Sequence, residues 1–468
     1  MSRQFEILHR DMVLVSFEYD GENKFCSKIE INDSDLRFTP FWIKKYKQEL
    51  EQKGKKLADY NFFMYVNAWF RNRICSAERS YGKLIYAYFN VAPNDFERLS
   101  DKIYFTGLND NLWLKNKNDR STYAQVNPYL NILDENTARL QLFGGVHQDI
   151  QDIKRRYTSG GSEHLLVDIS VSGGQDKCWI NDEGIIKLIK IEDKNRFLTK
   201  EELENSPDYK RKGIGTVWYN NQVYGEAFAS QLAQHLKLNA VKYDLVKLDY
   251  SDSGQKPTIA STCPLLNSYD ISLVTFKELL SNSNFDNPDM YLSLEHLRQN
   301  NYKNESYHEA VKFFGENSYY DMRMFDALIG NPDRLGDNFG MLRSNITGEY
   351  LGMAPLYDHG LSLMSGVDIN FTEENFEIWL KGEIEDINKV KIDERILHKD
   401  SERQILLLEN VKDFTIKNNE KFPYPEDRLN KLNAALQTKA ASLTIALKDR
   451  LFHNKKQNTQ YVAENIAK

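Results

Sequence analysis

The segment LIGNPDRLGDNFG (328–340), followed after a short hairpin by APLYDHGLSL (354–363), carries the chemistry-bearing residues of this chain. Asp333 and Asn338 stand five positions apart, and Asp358 lies 25 residues after Asp333. Transfer of a phosphoryl group needs these residue types. One carboxylate orients the attacking hydroxyl and takes its proton, while a carboxylate and an amide oxygen hold magnesium on the β- and γ-phosphates. The interval from Asp333 to Asn338 equals the D-x-x-x-x-N interval of a kinase catalytic loop. Asp358, behind apolar Leu356 and Tyr357 and ahead of His359 and Gly360, takes the place of the DFG aspartate. Each fragment alone is also a good turn former, because Asp and Asn bond their own backbone in turns. The order of the fragments, behind one helix and around one hairpin, favours the catalytic reading. Neighbouring Asp337 is read as a solvated turn residue.

Upstream, LLVDISVS (165–172) reads as a strand, followed by the loop GGQDK, then CWI, the turn NDEG and a second strand IIKLIKI (185–191). Gly173 and Gly174 would let backbone amides approach phosphate oxygens with no Cβ in the way, although a glycine pair is more often a plain hairpin turn. The loop is not a Walker A motif, since GxxxxGK[ST] is absent. A kinase also needs a lysine at the α- and β-phosphates, held by a helix glutamate. Lys190 and Lys187 both qualify, the alternative being an exposed strand lysine; Lys190 is preferred because it sits at the inner end of the strand, away from the turn. The glutamate is Glu226, in YGEAFASQLAQHLKL (224–238), where Phe228, Leu232 and Leu236 stack at i, i+4 and i+8 as on an amphipathic helix. AVKYDLVKLDY (240–250) returns to strand character.

Three parts are expected. Residues 1–150 mix strand-like runs (Met12 to Tyr19, Leu84 to Asn90) with helical patterns (Ile43 to Glu51, Tyr60 to Arg71) and form an α+β accessory region with no chemical motif. Residues 151–268 carry the glycine loop, the lysine strand and the glutamate helix. Residues 269–468 are mainly helical and carry the catalytic loop and metal site. The fold class is therefore α+β: a β-rich half followed by a helical half, the layout of a bilobal kinase and of many other α+β proteins.

The chain has 468 residues, 41% hydrophobic and 28% charged, which fits a soluble protein of two or three domains. No apolar run approaches the roughly 20 residues that span a bilayer. The start, MSRQFEILHRDMVLV, has no signal-peptide architecture, because Glu6, His9, Arg10 and Asp11 interrupt it, so cytoplasm is the expected location. Four scattered cysteines without a CxxC pair argue against a disulfide framework or a zinc site, and the histidines have no metal-ligand spacing. A net charge of −7 argues against a broad nucleic-acid surface.

With these residues in hand, the chain resembles the HipA-like serine/threonine kinases, the toxin kinases of bacterial persistence modules and their relatives. SVSGGQDK (170–177) is similar to the family's phosphate-loop signature S-x-x-G-x-Q-x-K, LIK to its lysine strand, 225–246 to its glutamate helix and following strand, and NPDRLGDNFG with APLYDHGLSL to its catalytic and metal-binding pair. The resemblance covers roughly 165–365. It implies ATP and magnesium as cofactors, Asp333 as catalytic base, Asn338 and Asp358 as metal ligands, and Lys190 with Glu226 as the nucleotide-positioning pair. Ser172, Gly173, Gly174 and Gln175 would then line the phosphates, with Lys187 the second lysine candidate. Ser170 falls where the archetypal toxin kinase autophosphorylates, ejecting its loop and switching itself off. Leu335 departs from the pattern, standing where the family usually has histidine. The expected partners are a protein substrate and an antitoxin or other regulatory protein. Two other readings keep the same residues: a small-molecule or lipid kinase or nucleotidyl transferase, and a pseudokinase-like binding module in a toxin–antitoxin or phage-defence assembly.

Overall fold

The computed structural model describes residues 2–32, 37–40, 42–44, 46–47, 51, 59–71, 73–74, 80–93, 95–130, 141–142, 175–191, 221–248, 258–280, 305–363, 373–389 and 402–466. The chain mixes α and β structure, with three antiparallel sheets among these residues.

The first sheet joins β1 (Arg3–His9), β2 (Met12–Asp20), β3 (Phe25–Ile31) and β4 (Leu112–Asn116) in the order β3-β2-β1-β4. Alternate residues point to one side of a strand, so Phe5 and Ile7 of β1 and Val15, Phe17 and Tyr19 of β2 share a buried face. Helices α1 (Asp59–Arg71), α2 (Ser80–Phe89) and α3 (Phe96–Ser100) supply Phe62, Val66, Phe70, Ile85 and Phe96 to the same core. The run Leu84 to Asn90, strand-like by composition, lies mostly in α2: Tyr81, Ile85 and Tyr86 are buried at helical spacing, and packing overrides the aromatic composition. The short α4 (Tyr123–Val126) begins with a capping box between Thr122 and Gln125.

The second sheet is β5 (Lys177–Asp182), β6 (Ile185–Ile191), β7 (Asp244–Leu248) and β8 (Thr258–Pro264), in the order β5-β6-β8-β7. The β5–β6 hairpin turns through Glu183 and Gly184, both at positive φ. Helix α5 (Gln222–His235) lies between β6 and β7 in sequence.

The third sheet, β9 (Ile271–Thr275), β10 (Gly340–Ser344) and β11 (Tyr350–Met353), is ordered β11-β10-β9. Among the described residues helices α6 (Phe276–Leu280), α7 (Glu305–Phe314), α8 (Glu316–Ile329), α9 (Glu373–Lys389), α10 (Glu402–Asn410) and α11 (Glu426–Ile466) belong to this part of the chain. Residues 319–329 of α8 are buried without interruption, so this helix is enclosed on all sides, and α5, α10 and α11 share its core. Among the described residues no helix is long and apolar enough to cross a membrane.

Specific bonds join the region of the first sheet to that of the third. Arg10 stacks on Tyr269 at 4.1 Å and pairs with Asp270 at 2.8 Å, and Leu273 N–H donates to Asn109 O at 2.7 Å.

Candidate active site

Helix α8 stops at Gly330, which adopts φ 65, a left-handed conformation that a side chain would make costly. The chain leaves it directly into Asn331-Pro332-Asp333. Asn331 serves as the turn residue: its Oδ1 accepts Asp333 N–H at 3.0 Å and its Nδ2 donates to Asp326 Oδ1 at 3.2 Å. The Asp333 carboxylate takes no part in the Asn331 turn and makes a long contact to Asn338 Nδ2 at 3.4 Å.

Arg334, fully buried, binds this loop to the segment that carries Asp358. It donates to Asp326 through Nε and Nη2, the latter at 2.7 Å, and through Nη1 to the carbonyls of Asn338 and Tyr357, both at 2.7 Å. Its Nη2 also meets His359 Nδ1 at 3.1 Å; burial, then the Arg334 charge, hold His359 well below its ordinary pKa, so the ring is a neutral acceptor at that nitrogen. Asn338 donates its Nδ2 to Asp333 O at 2.7 Å, which leaves Oδ1 as the atom for a metal. Asp337 turns aside and pairs with Lys277 at 3.3 Å.

Across the site, Lys190 Nζ lies 2.6 Å from Glu226 Oε1 and 2.6 Å from Asp358 Oδ1. The other Glu226 oxygen accepts His359 N–H at 2.7 Å. Helix α5 reaches this position because residue 225 is glycine: a Cβ there would stand 2.6 Å from Gly360 O. The two lysine candidates part company here. Three positions apart on β6 they point to opposite faces, and Lys187 pairs with Asp182 beside the hairpin turn at 2.5 Å instead. Gln175 donates its Nε2 to Ile191 O at 2.9 Å, tying the start of β5 to the end of β6. Ser170, Ser172, Gly173 and Gly174 lie outside the described residues.

Residues with no assigned role in the sequence reading also shape the site. Lys177, the lysine that ends S-x-x-G-x-Q-x-K, is the cross-strand partner of Lys190. Its presence in that signature was the available signal. Arg334 stood inside NPDR with nothing local to mark it, and Tyr243, described below, had none.

Burial opposes ionisation of Asp358, but Lys190 and then Lys177 outweigh it and hold the carboxyl below the usual range. The opposite balance holds at Lys190, where burial is outweighed by Asp358 and Glu226 and the ammonium stays charged. An ionised carboxylate and an amide oxygen on neighbouring segments are hard oxygen donors of the kind magnesium takes. Among the described residues no three His, Cys, Asp or Glu side chains cluster as a metal cage, and magnesium in phosphoryl-transfer sites uses one or two protein carboxylates together with the phosphates.

Asp333 is raised to about 6, by burial first and by the Asp358 charge second. A general base works as its carboxylate; were Asp333 to act as one, kcat/KM would fall about tenfold per unit below that pKa and level off above it. A profile of kcat/KM from acid to neutral pH checks this; a flat profile through that pKa excludes Asp333 as the titrating base.

No protein-family model and no curated protein matches the chain. Among solved structures, the chain is similar to the Helicobacter pylori proinflammatory kinase CtkA, at 15% identity, covering 60% of this chain and 93% of that one with a TM-score of 0.39. It is also similar to the Shewanella oneidensis MR-1 toxin–antitoxin complex of HipA, HipB and operator DNA, at 12% identity, covering 96% of this chain and 99% of that one with a TM-score of 0.48.

Proposed function

We propose that this chain is a phosphotransferase that moves the γ-phosphoryl group of ATP to a hydroxyl, on serine or threonine of a protein. The observation that carries this reading is Lys190 held 2.6 Å from both Glu226 and Asp358, with the loop bearing Asp333 and Asn338 locked to the Asp358 segment by Arg334. Lys190 would bind the α- and β-phosphates, Glu226 would keep it in place, and Asp333 would accept the proton of the attacking hydroxyl. Asn338 and Asp358 would hold magnesium, which supplies charge neutralisation at the phosphates. The part 151–268 would then act as the nucleotide-clamping lobe and 269–468 as the catalytic lobe.

Incubation with γ-labelled ATP and magnesium, followed by mass spectrometry of the protein and of a cell lysate, tests the proposal. Label on protein Ser or Thr supports it. Label only on small molecules or lipids favours the small-molecule branch, transfer of AMP favours nucleotidyl transfer, and no transfer favours a binding module. A phosphopeptide covering 165–177, absent in Asp333→Ala, would extend the proposal to self-limitation through Ser170. An antitoxin-like regulatory partner, the class added by the sequence resemblance, is sought by co-purification.

A further inference from the structure

Tyr243 belongs to no motif, yet it stands where three elements of the site meet. It is 5% exposed and immediately precedes β7. Val241 N–H donates to Leu356 O and Leu356 N–H to Asn239 O, both at 2.8 Å, so the approach to Tyr243 runs parallel to the approach to Asp358. The Tyr243 main-chain N–H donates to Ser230 Oγ on α5 at 3.0 Å. Its hydroxyl accepts Asp358 N–H at 3.2 Å. Its ring centroid lies 5.7 Å from Lys190 Nζ.

Asp358 has φ 60, in the left-handed region that a residue with a Cβ enters only when its surroundings hold it there. Two consecutive amides are held from two sides: that of Asp358 by the Tyr243 hydroxyl and that of His359 by Glu226. We propose that Tyr243 is the positioning residue for the metal ligand Asp358. Its hydroxyl keeps the backbone of Asp358 in the conformation that presents the carboxylate to a metal, and its bond to Ser230 ties that conformation to α5, the helix carrying Glu226. Without the hydroxyl, the Asp358 amide loses its acceptor and the turn loses the restraint at the residue with positive φ.

This inference rests on the phosphotransfer reading, and the test separates the two. Mn2+ binding is measured directly by electron paramagnetic resonance in the presence of β,γ-imido-ATP, for the natural chain and for Tyr243→Phe. The variant is expected to bind Mn2+ roughly tenfold more weakly or worse, as for a buried donor left without its partner. Binding of a fluorescent ATP analogue in chelator is expected to stay unchanged, because Lys190 and Glu226 are intact. Equal Mn2+ affinity in both proteins overturns this inference alone, and so does a parallel loss of metal-free nucleotide binding, which marks general disruption. Absence of Mn2+ binding by the natural chain overturns the phosphotransfer reading and this inference with it. Should thermal melting show Tyr243→Phe unfolded, Ser230→Ala, which keeps the phenol but frees its main chain, must weaken Mn2+ binding in the same direction; unchanged affinity there also overturns the inference.

Discussion

Asp333→Ala is expected to lower turnover by roughly 10²–10⁴-fold, the range over which a positioned general base contributes. The substitution is expected to leave the fold standing. The loop's own bonds use the Asp333 main chain, with Asn331 Oδ1 accepting its N–H and Asn338 Nδ2 donating to its carbonyl, and both survive in alanine. Among the described residues the lost carboxylate makes a long contact to Asn338 Nδ2 at 3.4 Å, and burial and Asp358 already disfavour its charge. Initial rates with γ-labelled ATP, read beside melting curves, separate the two effects. An alanine variant with full turnover would remove Asp333 from the reaction.

Lys190→Ala is expected to act on both chemistry and stability. The side chain is 5% exposed and neutralises Glu226, itself 1% exposed, and Asp358. Removing the cation leaves carboxylates facing one another with no charge between them, and breaking such a buried pair costs about 3–5 kcal/mol. Phosphotransfer is therefore expected to be lost and the folded state weakened together. Loss of the cation raises the folded-state pKa of Glu226, which burial already holds above its ordinary value, and raises that of Asp358, on which Lys177 still acts. The folded variant then binds more protons than the folded natural chain, so the stability deficit shrinks as pH is lowered and grows as pH rises. Denaturant titrations of variant and natural chain at several pH values measure this, and a deficit that widens in acid contradicts it. Lys187→Ala is the internal control. Lys187 is 30% exposed and Asp182 49%, and pairs of that kind contribute about 0–1 kcal/mol, so turnover and stability should both remain near those of the natural chain. Loss of turnover in Lys187→Ala with retention in Lys190→Ala would reassign the nucleotide lysine.

Local patterns in the amino-acid order determined a good deal. The β5–β6 hairpin, helix α5 and the strand after it were legible because turn residues and apolar periodicity act between near neighbours. The spacing of Asp333, Asn338 and Asp358 was legible for a similar reason, since they follow one helix end and a single hairpin separates Asn338 from Asp358. Tertiary packing decided the rest. Lys190 meets Glu226 across 36 positions and Asp358 across 168, and nothing in the intervening sequence states that distance. Arg334 looks like one more polar residue in a turn until the end of α8, Asn338 O, Tyr357 O and His359 close around it. Leu84 to Asn90 has the composition of a strand and lies mostly in helix because its buried side chains must meet the core of the first sheet at helical spacing. Turn chemistry and periodicity are short-range, whereas charge pairing in a buried site depends on which surfaces the fold brings together, and only the folded chain specifies that.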